Sequence, residues 1–231
     1  MEQYLVNTKK NSCAVKFKIT TDGSTIPIYI LGYDPINKNT FYFRSRFQIT
    51  GSEEVVLNCP QSPYHLKILV WSENDLPFKL ASVQIIPTHF SKSTDPVINW
   101  IEKMSRIIGR LRPGKFYGEN VPFIIDLRRN IYDDAGNIHP TPARIHIELP
   151  VIQVSKSKFD DTTIPERIII LLHEYSHNFL NYDQDSEQES DARAKAIYDE
   201  LGYPQIEAIN AFGNIMPDTN DNYQRMLNLT S

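Results

Sequence analysis

Residues His173, Glu174 and His177 form an H-E-x-x-H. On a helix, residues four apart share a face, one turn above the other. The spacing therefore brings two imidazoles within reach of one metal ion and leaves Glu174 beside them. A carboxylate in that place can take a proton from an attacking water, which is the chemistry of a zinc hydrolase. The competing reading is a buried helix carrying two histidines satisfied by ordinary hydrogen bonds. It fits poorly. Residues Ile168 to Leu172 are wholly apolar, so this helix is buried nearly all round. Two histidines and a glutamate in such a place cost desolvation unless something pairs them, and a metal supplies the pairing.

The third ligand decides the class of site. After His177 a short polar loop leads to a second helical stretch, with Ser186 and Glu189 spaced as a capping box. That gives Glu189 a structural task and leaves Glu187 free. Glu187 and Asp191 stand four apart and share a face. If the two helices form an antiparallel hairpin, Glu187 comes level with His177 and Asp191 level with His173. Glu187 is then expected to complete the metal site, and Asp191 to accept the ring N–H of His173. Taken singly, each acid would read as a helix start favoured by the macrodipole. Asp183, six residues beyond His177, is the alternative ligand. His139, His146, Tyr182 and Tyr203 are candidates for stabilising an oxyanion, against the simpler reading of strand-surface histidines and core tyrosines.

These residues need a scaffold. Thr163 and Glu166 are spaced as a capping box that starts the histidine helix. Upstream, Ser93, Thr94 or Asp95 with Pro96 predicts a helix start. Val97, Ile98, Ile101, Met104, Ile107, Ile108 and Leu111 then recur at helical spacing until Arg112-Pro113-Gly114 stops them. Strands are expected at VPFIIDL, ARIHIEL and VIQVS. Residues 1–90 read differently. CAVKFKIT, IPIYILG, TFYFRSRFQI, EVVL, YHLKILVWS and LASVQII are short and rich in β-branched and aromatic residues. Turn signals such as Asp22-Gly23 and Gly51-Ser52 separate them. Alternation puts Leu66, Ile68 and Val70 on one face. This spacing predicts a small β-sandwich. The expected division is therefore 1–90 and 91–231.

Composition narrows the function classes. A chain of 231 residues with net charge −4 and no long basic run carries no electrostatic footprint for nucleic acid or a membrane surface. No apolar run is long enough to span a bilayer, and none near the N-terminus has signal-peptide length. A cytoplasmic location is expected. Two cysteines, Cys13 and Cys59, cannot build a disulfide framework. They read as buried thiols, with one bridge open to them if both face the same strand pair.

H-E-x-x-H followed by E-x-x-x-D, then the tail ARAKAIYDELGYP, resembles the glutamate-type zincin metallopeptidases, and the short span between the helices is similar to compact phage and prophage forms. The matching residues are His173, Glu174, His177, Glu187 and Asp191. Over roughly residues 92–215 the resemblance implies a zincin fold of helix, mixed sheet, active-site helix and glutamate helix. The gap of ten residues from His177 to Glu187 is short for this clan, so no large subdomain separates the two helices. The Asp183 alternative corresponds to metzincin-type spacing, with Met216 in a Met-turn. It needs a sharp turn at Leu180, where glycine would be required.

The expectation is thus an α+β protein, a small β-sandwich followed by a compact zincin-like domain. Its expected function is zinc-dependent peptide hydrolysis. His173, His177 and Glu187 would hold Zn²⁺, Glu174 would act as base, and a protein or peptide substrate would add along ARIHIEL. The alternative is a structural or assembly protein, such as a phage virion component, that interacts through residues 1–90 and carries a structural or vestigial metal site.

Overall fold

The computed structural model describes residues 1–37, 39–146, 149–177 and 187–215, with residues 214 and 215 described by backbone alone. The protein is mixed α+β and divides into two compact units. Met1–Ser91 with Gly202–Pro204 form one, and Lys92–Leu201 with the residues from Gln205 onward form the other. Among the described residues, no helix is long and apolar enough to cross a membrane.

The first unit holds β1 (Glu2–Asn7), β2 (Cys13–Tyr33), β3 (Phe41–Cys59), β4 (His65–Ser72) and β5 (Lys79–Pro87). All pair antiparallel in one sheet, ordered β1-β4-β2-β3, with β5 also on β2. Here the sequence reading is corrected. CAVKFKIT and IPIYILG are one strand, as are TFYFRSRFQI and EVVL. The turn signals between them bend the hairpin without ending its strands. Gly23 and Gly51 take left-handed backbone angles of +105° and +67°, and the register slips between Thr20 and Thr25. Thr21 ties the bend, its hydroxyl donating to the Ser24 carbonyl at 2.8 Å and accepting from the Gly51 N–H at 2.9 Å.

The bend makes one sheet serve as two faces. Phe17 pairs across the strands with Val55, and Phe43 with Gly32, at opposite ends of the hairpin. Yet their rings meet edge to face with centroids 6.4 Å apart. The layers expected of separate sheets are therefore one hydrogen-bonded sheet folded on itself. Period-2 alternation supplies its core: Val15, Phe17, Ile19, Ile28 and Ile30 are fully buried, with Leu66, Ile68 and Val70 on the face that alternation assigned to them.

In the second unit, α1 (Pro96–Ile107) begins where the signal lies. The Asp95 carboxylate accepts from the Val97 N–H at 2.7 Å, and Pro96 opens the first turn. The sheet consists of β6 (Gly114–Tyr117), β7 (Ile124–Arg128), β8 (Ala143–Ile145) and β9 (Val151–Ser155), ordered β6-β7-β9-β8. β7 and β9 are parallel and the other pairs antiparallel, so β8 is an edge strand. β6 escaped the sequence reading because Arg112-Pro113-Gly114 reads as a helix stop and masks the strand that starts on its glycine. A short helix, α2 (Lys156–Phe159), precedes α3 (Ile164–His177), α4 (Glu187–Glu200) and α5 (Gln205–Ile215).

α3 is the central element. Its capping box forms as expected: the Glu166 carboxylate accepts from the Thr163 N–H at 2.5 Å, and the Thr163 hydroxyl accepts from the Glu166 N–H at 3.2 Å. The Thr163 hydroxyl also donates to the buried Glu207 carboxylate on α5, at 2.7 Å. Ile164, Ile168, Ile169, Leu171 and Leu172 are all at most 1% exposed. So is Arg167, at 0%. Its guanidinium donates to the Phe159 carbonyl at 3.0 Å, the Thr162 hydroxyl at 3.2 Å and the Ser105 carbonyl at 3.2 Å. One side chain thus joins α3 to the ends of α1 and α2. Arg167→Met fills similar space and removes these hydrogen bonds; the Phe159 carbonyl keeps the Thr162 N–H and hydroxyl, and a buried acceptor left unsatisfied costs about 1–3 kcal/mol. The variant is expected to lose about 1–3 kcal/mol in urea unfolding of the metal-free protein. A loss under about 0.5 kcal/mol, the range of an ordinary surface change, would show that the network carries no such weight.

Candidate metal centre

α3 brings His173 and His177 to its C-terminal end, and α4 brings Glu187 opposite them. The Nε2 atoms of the two histidines lie 3.1 Å apart. Oε2 of Glu187 is 3.4 Å from His173 Nε2, and Oε1 is 3.5 Å from His177 Nε2. A tetrahedral centre with bonds of about 2.0–2.2 Å spaces its donors about 3.3–3.6 Å apart. The two imidazole–carboxylate separations fall in that range and the imidazole pair, at 3.1 Å, stands slightly inside it. Among the described residues they are the group of metal-ligating side chains that converges, with donor atoms within 4.8 Å of one another.

The outward-facing ring nitrogens face neighbours on α4. Asp191 Oδ1 lies 2.8 Å from His173 Nδ1, an ion-pair distance at which the angles are not those of a hydrogen bond. The Ser190 hydroxyl lies 3.2 Å from His177 Nδ1. Both Nε2 atoms lie within 3.5 Å of a Glu187 oxygen. Sequence reasoning missed Ser190. The signal was present: Glu187, Ser190 and Asp191 follow the i, i+3, i+4 pattern of one helix face, and a serine on a face that buries an aspartate needs a partner. Phe212 of α5 closes another side, its ring edge-on to His173 with centroids 6.0 Å apart.

Glu174 is not one of the three donors, and its Oε2 accepts from the Ile145 N–H of β8 at 2.7 Å. This tether was also missed, because it joins a helix to a backbone group 29 positions upstream. Burial pushes the Glu174 carboxyl above the ordinary glutamate range and the nearby Glu187 adds to it; the charge on His173 and the Ile145 hydrogen bond pull against them. At His173 burial acts in the opposite sense and favours the neutral ring. The Asp191 and Glu187 carboxylates beside the ring, with the charge of Glu174, outweigh it and raise the imidazole to about 10. The pocket is thus strongly attractive to positive charge. It is also graded in exposure: the Asp191 side chain is 5% exposed and that of Glu187 42%, so solvent reaches the donors from the Glu187 side.

The His139 ring pairs with the Thr141 hydroxyl at 2.7 Å, His146 donates its backbone N–H to the Val151 carbonyl, and Tyr203 is buried. Asp183, Met216, Leu180, Tyr182 and the Ser186 cap lie outside the described residues. Glu189 is exposed. Comparison with known proteins finds no matching family model, curated protein or solved structure. The site's own geometry and chemistry therefore carry its interpretation.

Measured by competition with a metal-binding dye, Asp191→Asn and Ser190→Ala should each weaken metal binding about 10–100-fold, and Glu187→Ala more. Glu189→Ala should leave affinity unchanged and cost about 1 kcal/mol of stability at most, through a lost cap. An Asp183→Ala protein that no longer binds metal, beside a Glu187→Ala protein that still does, would transfer the third ligand to Asp183.

Proposed function

We propose that this chain is a zinc-dependent metallopeptidase with a compact zincin-like second unit. The observation that carries this reading is the convergence of two imidazole Nε2 atoms and a carboxylate at 3.1–3.5 Å, beside a further carboxylate, Glu174, that is no part of the donor set. Two neutral imidazoles and one carboxylate are the donor chemistry of a hydrolytic zinc site, which keeps one position open. His173, His177 and Glu187 would hold the ion, with Asp191 and Ser190 fixing the two rings. Bound zinc supplies Lewis acidity, activating water and polarising the peptide carbonyl.

Glu174 then has the task of moving protons. Its carboxyl, placed beside the donor group, is suited to accept a proton from water and to return it to the departing amine. The open edge of β8 offers an extended peptide a strand to pair with, and the Ile145 hydrogen bond links that edge directly to Glu174. The substrate class is accordingly a protein or peptide in extended conformation.

A second reading, a structural or assembly module such as a virion component interacting through its first unit, is favoured by that same hydrogen bond. It gives Glu174 a task, bracing α3 against β8, that requires no catalysis.

Two measurements decide between them. Elemental analysis of protein never exposed to chelator should return about one zinc per chain; none would remove the site and the enzyme together. Glu174→Gln should retain zinc and fold but lose about 10²–10⁴-fold in peptide hydrolysis, because the amide keeps the shape and cannot take the proton. Wild type and Glu174→Gln both inert across a peptide library, each with zinc bound, would leave the structural module as the reading.

A further inference from the structure

Cys13 and Cys59 play no part in the metal centre, and the fold sets them side by side. They are directly paired residues of β2 and β3. Both are free thiols, each is 2% exposed, and their side chains hydrogen-bond to each other. Directly opposed strand residues hold their Cβ atoms about 4.5–5.5 Å apart, and a disulfide needs about 3.5–4.5 Å. The pair is one small backbone adjustment from bridging.

The two thiols are not equivalent. The hydrogen bond from Cys59 pulls the Cys13 thiol below its ordinary value, burial opposes this, and a further hydrogen bond from Ser62 assists it. The Cys59 thiol is pushed well up, first by its hydrogen bond to Cys13 and then by burial. Its other acceptor is the Gln61 carbonyl, at 3.6 Å. The Gln61 carbonyl holds the Cys59 proton, so Cys13 is the sulfur more readily deprotonated of the two.

We propose that Cys13 and Cys59 form a reversible dithiol–disulfide site that exchanges with small disulfides of the glutathione type. The Cys13 thiolate attacks one sulfur of the small disulfide, forming a mixed disulfide and releasing one small thiol. Cys59 then loses its proton to solvent and attacks the Cys13 sulfur, closing the cross-strand bridge and releasing the second small thiol. The protein gives up two electrons and two protons, and the small disulfide receives them. Two small thiols run the exchange backwards. Reversibility has a structural cause: closure draws the two Cβ atoms in from strand spacing, and a bridge made against that resistance is more easily reduced than a relaxed one. Access has one too. The pair lies at the ends of both strands, where Cys13 also faces Pro87 of β5 and the Ser12 hydroxyl donates to the Pro60 carbonyl at 2.7 Å, so a local opening that parts these contacts exposes Cys13 while the rest of the sheet stays paired.

The test uses the whole chain in glutathione buffers running from reduced to oxidised. Both thiols should disappear together. Proteolysis without reductant should release one linked pair of peptides containing Cys13 and Cys59, and dithiothreitol should separate them. Cys59→Ser keeps the attacking thiol and removes the resolving one, so it should stop with one glutathione on Cys13; Cys13→Ser should stay unmodified. Two thiols still titratable in oxidised buffer would overturn the proposal. So would a Cys13→Ser protein that takes up glutathione as readily as Cys59→Ser. Should a serine variant fail to fold, the wild-type peptide map decides alone, and absence of the linked pair is then the overturning result.

Discussion

The guanidinium of Arg167, fully buried at the start of α3, is the constraint on which the second unit turns. A charge in that position is tolerable only with its N–H groups satisfied, and its partners are the Phe159 and Ser105 carbonyls and the Thr162 hydroxyl. Those partners sit at the ends of two other elements, so meeting the demand fixes where α1 and α2 finish relative to α3. The Thr163–Glu166 box fixes the first turn, and the Thr163 hydroxyl extends the network to Glu207 of α5. With its base held so, a straight helix delivers His173 and His177 at its far end with little freedom left. Leucine or methionine at position 167 would keep the helix amphipathically plausible but would release this anchorage.

The candidate metal centre lies at the other end of α3 and is equally constrained. Three acids surround His173, and each has a separate partner or exposure: Asp191 buried on Nδ1, Glu187 towards solvent on Nε2, and Glu174 turned to β8. Mutual repulsion among them is offset by positive charge on the ring. Donor spacing and charge therefore agree, and this agreement distinguishes the site from an acidic surface cluster, which has the charge without the spacing.

What was legible in the sequence was local. Thr163 and Glu166, Asp95 and Pro96, and His173 and His177 act within one or two turns of helix, so their spacing encodes their geometry. Glu187 and Asp191 could be assigned to a common face because i,i+4 is also local, and the choice between their roles followed from levelling two helices. Arg167 was not legible. In ERIIILL it looks like an ordinary charged residue, and its burial depends on a carbonyl 62 positions away. The Ile145 tether on Glu174 was hidden for the same reason, since backbone groups have no signature in sequence. In the first unit the glycines at 23 and 51 read as turns that end strands, whereas they are left-handed positions within continuous strands, because a bulge and a turn use the same residue types.

The long bent hairpin also dictates an order of assembly. At its closed end the Asp34 carboxylate accepts from the Ile36 and Asn37 N–H groups at 2.8 and 3.2 Å, and Gly32 pairs with Phe43 close by in the chain. Those pairs close small loops and can form early. Each later pair then adds to an existing ladder, so the entropy of joining Cys13 to Cys59 is spread over many inexpensive steps. β4 pairs with β2 from Ile28 to Tyr33 and β5 from Cys13 to Thr20, so β5 must wait for the half that zips last. Register is inherited along such a ladder, and a slip of one residue would turn every inward side chain outward. The break between Thr20 and Thr25 divides that inheritance in two, and an error made beside the turn is passed on only as far as the bulge.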